Sequence, residues 1–322
     1  MRRSSVGALC AAALVLVATV GCSRAPASQA AASPPPATAS ALPDTGNTGP
    51  TPVPSAALTP EPTPAPDPLI PIFAEFDPSH FSNGATITNE WLPLQPGRRW
   101  IEDGVTLEAG ERIPHRITFT VTHLTKVIAG VKTAVAWVED FSDGQLVEVE
   151  IAFYAQDDDG TVWYFGEHPE EYEDGEFVAA PTWIAGLDGA KPGIKMFADP
   201  ATHTQTYYQG WGPAVEWSDF GRIDEFGLSD CVVAGCFSDI DRFAESSNGE
   251  AGIFQLKSYA KGIGEIRVGW RGEAESREEL ELKSTATLQS SALKKFDNLA
   301  IDLEKHAYLV SPKIYGQTEP MQ

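Results

Sequence analysis

A predicted β-hairpin at residues 145–167 decides the fold. It reads Gln145-Leu-Val-Glu-Val-Glu-Ile-Ala-Phe-Tyr-Ala-Gln-Asp-Asp-Asp-Gly-Thr-Val-Trp-Tyr-Phe-Gly-Glu167. From Val147 to Gln156 apolar and polar side chains alternate, which is typical of a strand with one apolar face and one wet face. Asp157-Asp-Asp-Gly160 is turn chemistry, because Asp and Gly tolerate the left-handed backbone of a tight reversal. Val162 to Phe165 then returns as an aromatic strand.

Most of the remaining apolar segments are predicted to be strands laid beside this hairpin. The same two-residue period and the turn signals between segments predict strands at 99–107, 116–124, 132–141, 194–198, 205–209, 232–243, 253–259, 265–270 and 278–288. The Gly- and Pro-rich stretch 166–193 is expected to be a long ordered excursion rather than a helix. The predicted fold class is all-β: an antiparallel meander that forms a curved sheet or half-barrel.

One helix is predicted late in the chain. From Ser291 to Tyr308 the apolar residues change to helical spacing, and Ser290 or Ser291 is available as a cap. We expect this C-terminal amphipathic helix to lie against the sheet or across one open end.

The domain organisation follows from composition. Residues 1–21 have two early arginines and then a short Ala-rich apolar run, which predicts a secretory signal peptide. Residues 22–68 form a predicted disordered tether of Pro, Ala, Ser and Thr, a composition that cannot build a core. Residues 69–288 form the predicted β domain, and residues 289–322 the helix and tail.

Cys22 is the predicted site of lipidation. The segment Thr19-Val20-Gly21-Cys22 resembles a bacterial lipobox, in which the cysteine is lipidated and becomes the new N-terminus. A plain signal peptide with a chance cysteine is the alternative, because Thr19 stands where a branched apolar residue is usual. The lipidation hypothesis predicts an exported protein of the bacterial cell envelope, with the tether holding the domain clear of the membrane.

The chain is strongly acidic. It has 23 Lys and Arg against 45 Asp and Glu, for a net charge of −22. Phosphate binding needs clustered basic residues, so this balance argues against a nucleic-acid partner. It is compatible with solubility outside the cell, with attraction of cations or with a basic partner.

Two of the four cysteines are left to pair once the signal and the lipobox are set aside. Cys231 and Cys236 are predicted to form a disulfide, the usual state of a close pair in an exported protein. No CxxC redox motif is present in the sequence, and two thiols alone are weak support for zinc.

Four stretches together resemble a family of mostly uncharacterised exported bacterial β-rich proteins and lipoproteins. These stretches are Asn89-Glu-Trp-Leu-Pro-Leu-Gln-Pro-Gly97 with Trp100, the hairpin Tyr154–Glu167, Trp183–Met196, and Tyr259-Ala-Lys-Gly-Ile-Gly264. The resemblance covers roughly residues 80–285. It implies an all-β envelope protein and supplies no catalytic residues, because fold alone does not give function.

Five aromatic residues are the predicted ligand-binding set. They are Trp163, Tyr164, Phe165, Tyr172 and Trp183, with Tyr207, Tyr208 and Trp211 later in the chain. A curved sheet could hold an apolar or amphipathic ligand in such an aromatic cup. The alternative is that these aromatics pack in the core, as alternating aromatics more often do.

Four acidic or histidine residues are candidate metal ligands at two separate places in the sequence. Asp157 and Asp159 would offer carboxylates to calcium on a Gly-containing bend, although the EF-hand register fails. Glu167 and His168 could hold a divalent metal or move a proton. The alternatives are an ordinary hairpin turn and a charged loop face.

The function predicted from sequence is therefore binding rather than catalysis. The sequence contains no Gly-x-Ser-x-Gly elbow and no cysteine poised as a nucleophile, so no catalytic residue is assigned. Two alternatives stay open: a metal-assisted hydrolase that uses the carboxylates of residues 157–176 with His168, and a structural or partner-binding surface protein. No cofactor is predicted apart from the calcium considered above.

Overall fold

The computed structural model describes residues 70–248 and 252–322. The predicted signal peptide, Cys22 and the tether lie outside the described residues.

Fourteen strands and two helices make up the regular structure of the described chain. The strands are β1 (Arg98–Glu108), β2 (Glu111–Ile128), β3 (Val131–Ser142), β4 (Gln145–Gln156), β5 (Val162–Glu173), β6 (Glu176–Ala179), β7 (Trp183–Ile184), β8 (Lys191–Met196), β9 (Tyr207–Gly212), β10 (Trp217–Val232), β11 (Gly235–Ser247), β12 (Phe254–Ala260), β13 (Gly264–Arg271) and β14 (Ser276–Thr287). The helices are α1 (Ser290–Val310) and α2 (Pro312–Tyr315). Short 3-10 turns occur at Pro78–His80, Pro200–Thr202 and Pro213–Val215.

Twelve of the strands close into a barrel. Strands β1 to β5 form the predicted antiparallel meander, β5 then pairs with β8, and β8 to β14 continue strand by strand. Strand β14 pairs with β1 from Arg98 opposite Thr287 to Glu108 opposite Ser276, which completes the ring. Strands β6 and β7 pair with β5 outside this ring. The prediction of an antiparallel all-β fold with a C-terminal helix is confirmed, but the half-barrel is wrong, because both sheet edges are paired.

The two faces of the hairpin point in the opposite directions from those expected: the polar face points into the barrel and the apolar face points out. Its apolar side chains, including Ile151 and Phe153, point to the outside of the barrel and pack beneath α1. Its polar face points inward, so Glu148 and Glu150 are only 3% and 4% exposed. The alternation is correct, but the expected wet face is the interior of the barrel.

Helix α1 covers the outer face of β2 to β5. Leu293, Phe296, Ala300, Leu303 and Ala307 are buried in one cluster with the outward side chains of these strands. The helix therefore lies against the sheet, which was one of the two expected positions. Burial of this apolar stripe is the main source of stability for such a helix.

An irregular segment before β1 joins several turns of the barrel. The side-chain amide of Asn89 donates hydrogen bonds to the backbone oxygens of Gly160 at 2.9 Å and Phe197 at 3.1 Å. The indole of Trp100 donates to the backbone oxygen of Ile263 at 2.7 Å. The first stretch quoted above for the family resemblance, together with Trp100, therefore contacts the hairpin and the Tyr259–Gly264 turn in the folded chain.

Two segments differ from the sequence prediction. Strand β5 continues to Glu173, so the first part of the expected excursion at 166–193 is strand. Strand β10 was not predicted at all. It pairs with β11 through three register shifts, which break the two-residue alternation on which the prediction depends.

Candidate ligand cavity inside the barrel

A cavity of about 130 Å³ lies inside the barrel. Its walls come from ten of the twelve barrel strands together with the irregular segment before β1. The lining residues are Leu92, Leu94, Trp100, Glu102, Ile117, Phe119, Val138, Glu150, Tyr154, Tyr164, Lys195, Gln209, Trp217, Asp219, Lys257, Tyr259 and Glu265. Apolar and ionisable side chains share the same enclosed space, as in sites that orient a ligand through a few polar groups.

Aromatic rings form one part of the cavity wall. Tyr154 and Tyr164 stack with ring centroids 4.9 Å apart, and the Tyr164 ring meets the edge of Trp217 at 5.9 Å. Trp183 stacks on Trp217 from behind at 4.5 Å. Such contacts hold the rings in fixed positions and leave their faces and edges available to a ligand.

Four carboxyl groups form the polar part of the wall: Glu102, Glu150, Asp219 and Glu265. Burial raises the pKa of Glu102 well above its usual value, and the nearby charge of Glu265 adds to this shift. Burial likewise raises the pKa of Glu150 to about 7 and that of Asp219 well above its usual value. These groups therefore hold protons at pH values where an exposed carboxyl group is ionised.

The two lysines that line the cavity both pair with the carboxylate of Glu245, which is not one of the four lining carboxyl groups. Lys195 and Lys257 place their ammonium groups 3.4 and 3.1 Å from the carboxylate of Glu245, which also accepts a hydrogen bond of 2.7 Å from Gln209. Burial alone would raise the pKa of Glu245, but the two lysines outweigh it and lower this pKa to about 2. Among the described residues, none of the four lining carboxyl groups has an ion pair of its own.

Glu167 lies inside the barrel next to the cavity. Its carboxyl group accepts hydrogen bonds from the hydroxyl of Tyr164 and, at 3.1 Å, from the indole of Trp183. Burial and the neighbouring charge of Glu150 raise its pKa to about 8. The hydroxyl of Tyr164 thus bridges Glu150 and Glu167.

A second buried cluster joins β2, β3 and β14. Nε2 of His115 lies 2.8 Å from Asp140, and Nδ1 lies 3.2 Å from Glu278 and 3.1 Å from the hydroxyl of Thr106. Among the described residues this is the one group of three His, Cys, Asp or Glu side chains close enough together to hold a metal ion.

A groove of about 610 Å³ lies on the outer face of β1 to β3. It is more open than the interior cavity, and most of its charged side chains have polar partners, although Nε of Arg99 has none within the described chain. Arg116 pairs with Asp103, and Glu139 accepts a hydrogen bond of 2.8 Å from Thr118. The interior cavity therefore offers the stronger binding chemistry.

The five aromatic residues predicted to bind a ligand do not share one surface. Tyr164 lines the cavity, and Trp183 supports it from the second layer. Trp163 and Phe165 point outward and pack against Phe76 and Phe81. Tyr172 lies on the outside, where its ring meets that of Phe177. Alternation along β5 makes this separation unavoidable, because neighbouring residues of a strand face opposite sides.

The four residues predicted to bind a metal are also divided. Asp157 accepts hydrogen bonds within its own turn and from the indole of Trp163 at 2.8 Å. Asp159 is exposed in the same turn, and Glu167 faces the interior. Both ring nitrogens of His168 have partners, Thr182 at 2.6 Å and Glu170 at 3.2 Å.

Cys231 and Cys236 are joined by a disulfide in the β10–β11 hairpin, where they stand directly opposite each other.

Sequence reasoning missed most of the cavity. Glu102, Asp219, Lys257 and Glu265 come from strands that are distant in sequence, and only barrel closure brings them together. Period-two analysis could have placed Glu102 and Trp100 on one face of β1, because they are two residues apart. It could not show that this face is enclosed.

No protein-family model and no curated protein matches this chain. The chain resembles a crystal structure of a candidate lipoprotein from Parabacteroides distasonis, with 11% sequence identity and a TM-score of 0.33. The match covers 62% of this chain and 99% of the other. A similarity this low supports no transfer of function.

No helix in the described part of the chain is both long and apolar enough to cross a membrane.

Proposed function

We propose that this protein is an exported lipoprotein whose barrel binds one small amphipathic molecule, an apolar or aromatic body that carries a positively charged group. The observation that supports this proposal is the cavity itself, where aromatic rings and four carboxyl groups enclose the same space. The proposal refines the apolar or amphipathic ligand expected from the sequence.

The charge balance of the cavity argues for a cationic group on the ligand. Lys195 and Lys257 both pair with Glu245. Their charges also act on the lining carboxyl groups, but two lysines do not balance five carboxyl groups, and none of the four lining ones forms an ion pair within the described chain. Burying unpaired carboxylates is costly, and such groups respond by holding protons. An ammonium group delivered by a ligand would allow at least one of them to ionise in a favourable pair.

The aromatic wall argues for the same ligand class. The faces of Trp and Tyr rings attract cations and also bury apolar surface. Trp100, Tyr154, Tyr164 and Trp217 all line the cavity together with Leu92 and Leu94. A cavity on the order of 150 Å³ accommodates a single benzene ring, so the expected ligand is small.

A series of three probes of similar size tests the proposal. Benzylamine, benzyl alcohol and benzoate differ mainly in charge, and their affinities for the purified domain are measured by isothermal titration calorimetry. We expect benzylamine to bind at least about tenfold more tightly than benzyl alcohol, since a buried charge pair adds more than about 1.4 kcal/mol. Equal affinities for the three probes, or no binding of any of them, would contradict the proposal.

Matched variants locate the site. Glu150→Gln and Asp219→Asn each remove one carboxylate from the cavity and should weaken benzylamine binding about tenfold while leaving benzyl alcohol unchanged. Glu139→Gln removes a carboxylate from the outer face, where it bonds Thr118, and should leave both affinities unchanged.

The lipoprotein part of the proposal rests on the sequence of residues 19–68. Mass spectrometry of the mature protein extracted in mild detergent should show a chain that begins at an acylated Cys22. A Cys22→Ser variant should be released from the membrane fraction, and an unmodified Cys22 would contradict anchoring.

The other functions predicted from the sequence stay predictions. A hydrolase that uses residues 157–176 with His168 requires a bound metal there, and calcium at Asp157 and Asp159 requires that calcium raise the melting temperature. A structural surface protein would bind none of the three probes.

A further inference from the structure

We propose that His115, Asp140 and Glu278 form a binding site for one divalent transition-metal ion, of the class of Zn²⁺ or Mn²⁺, inside the barrel. The site is separate from the proposed amphipathic-ligand cavity, and neither His115 nor the two carboxylates line that cavity. It is also different from the four residues that the sequence suggested for a metal.

The geometry of the cluster is suitable for a metal ion. Three strands contribute one residue each: β2 carries His115, the adjacent β3 carries Asp140, and β14, on the other side of β1, carries Glu278. One ligand atom from each side chain lies within 4.8 Å of those of the other two. All three residues are at most 5% exposed, so the strands fix their positions. Because Asp140 contacts Nε2 of His115 and Glu278 contacts Nδ1, the side chains must rotate for one ion to reach all three.

Unsatisfied oxygen atoms are the second observation. Oδ2 of Asp140 and Oε1 of Glu278 are buried and form no hydrogen bond within the described chain. Oε1 of Glu278 lies 3.2 Å from the imidazole of His115, but the geometry is unsuitable for a hydrogen bond. A buried carboxylate oxygen without a donor is unfavourable, and a metal ion at this position would satisfy both oxygens at once.

The charge of the cluster also calls for a cation. Among the described residues no Lys or Arg forms an ion pair with Asp140 or Glu278. When the imidazole is neutral and both carboxyl groups are ionised, a divalent ion would neutralise the two buried negative charges.

The surrounding hydrogen bonds are those of an outer coordination layer. The side-chain amide of Gln255 donates to Oε2 of Glu278 at 2.7 Å, which leaves Oε1 for the ion. The hydroxyl of Thr106 lies 3.1 Å from Nδ1 of His115 and fixes the ring. Metal-binding histidines and carboxylates are usually held by such partners.

The ligand set selects the kind of metal. One imidazole nitrogen with two carboxylates is typical of Zn²⁺, Mn²⁺ and Fe²⁺ sites, whereas Ca²⁺ and Mg²⁺ prefer all-oxygen sites. Three protein ligands also leave at least one coordination position for water or another small molecule.

Metal titration of the chelator-treated protein tests the inference. Zn²⁺, Mn²⁺ and Ca²⁺ are each titrated into the mature protein by calorimetry, and Co²⁺ binding is followed by its visible absorption. We expect one Zn²⁺ or Mn²⁺ per chain, a metal-dependent rise in melting temperature, and binding of Ca²⁺ at least tenfold weaker. If the folded wild-type protein binds neither Zn²⁺ nor Mn²⁺ stoichiometrically, the inference is wrong, whatever the variants show.

Matched variants assign the ligands. Asp140→Asn and Glu278→Gln should each lower Zn²⁺ affinity at least tenfold in protein whose circular dichroism shows it to be folded. Glu170→Gln is the control, because Glu170 is a buried carboxylate of β5 that contacts His168 and His306 and does not belong to the cluster. Unchanged Zn²⁺ binding in both cluster variants, or loss only in the control, would contradict the assignment. Benzylamine binding is measured in parallel, so failure of one proposal is distinguished from failure of the other.

Discussion

Lys126 lies beneath the C-terminal helix with only 1% of its surface exposed. Its ammonium group donates to Glu304 of α1 at 2.7 Å and to the backbone oxygen of Glu319 at 2.6 Å. A buried charge of this kind is stable only with its partner, because removing one member leaves the other charge unpaired and desolvated. The pair thus joins β2 to the helix by a specific contact within a largely apolar layer.

Replacing Lys126 by Met should lower the free energy of unfolding by about 3 kcal/mol, measured by urea denaturation, because Glu304 is left unpaired. The double variant Lys126→Met with Glu304→Met should be less destabilised than the sum of the two single variants, by at least about 1 kcal/mol. Additive effects would show that the pair contributes nothing specific.

At the residue scale the sequence predicted the alternation of the hairpin but not its direction. Glu148 and Glu150 were placed on one face and Ile151 and Phe153 on the other, as the structure shows. Which face is exposed to water depends on the elements that pack over each face. That is decided by α1 on the outside and by distant strands on the inside, so no local pattern contains it.

At the element scale, glycines of β9 leave room for two tryptophans. A Cβ atom on Gly210 would lie 2.7 Å from both Trp183 and Trp217, and one on Gly212 would lie 2.7 Å from Trp183. The stacked indoles support the aromatic wall of the cavity, so the small residues of β9 position a binding surface.

Gly210→Ala should therefore destabilise the protein by about 1–3 kcal/mol, because the rigid rings must move or the strand must shift. Gly269→Ala in β13 is the control. Its Cβ would meet nothing closer than 3.9 Å, and we expect a change within about 0.5 kcal/mol. Equal effects of the two substitutions in thermal unfolding would contradict the packing argument.

Sequence predicts best the elements in which the spacing of apolar residues is uninterrupted. Helix α1 was predicted to within two residues at each end because its apolar stripe is continuous. Strand β10 was missed because its register shifts and its glycines interrupt the alternation. The excursion at 166–193 was overestimated because the acidic residues of β5 indicate a loop, whereas the strand buries Glu167 in the barrel interior and Glu170 against His168 and His306.

At the scale of the whole molecule, the interior carboxyl groups link stability to pH. Glu150 and Glu167 have pKa values of about 7 and about 8 in the folded protein, above the usual value for glutamate. The folded state therefore holds protons that the unfolded chain has lost. The free energy of unfolding must fall as pH rises from the ordinary glutamate value of about 4.3 to about 8. Glu245, whose pKa is about 2, has the opposite effect and stabilises the fold above the usual glutamate pKa.

We expect the free energy of unfolding to be greatest near pH 5 and to fall by on the order of 2 kcal/mol or more by pH 8. Chemical denaturation at several pH values measures this. The double variant Glu150→Gln with Glu167→Gln, which mimics the protonated pair, should reduce the slope. A stability that rises from pH 5 to pH 8 would contradict the protonation of the interior.

Barrel closure could not be predicted from the chain alone. The meander of β1 to β5 follows from short turns between consecutive strands, since neighbours in sequence pair most often. The pairing of β14 with β1 and of β5 with β8 joins edges far apart in sequence, and no turn between them signals it. The cavity depends on these two pairings, so its residues could not be gathered from sequence either.

The most direct test of the enclosed acidic cavity is the titration of Glu150 and Glu167 by carboxyl ¹³C NMR, with and without benzylamine. The free protein should show the pair titrating near pH 7 and 8, and bound benzylamine should lower the Glu150 midpoint by at least about one pH unit, because the ammonium group favours the carboxylate. Titration of both groups near the ordinary glutamate value of about 4.3, unaffected by the amine, would show that these carboxyl groups are neither buried nor part of a cation-binding site.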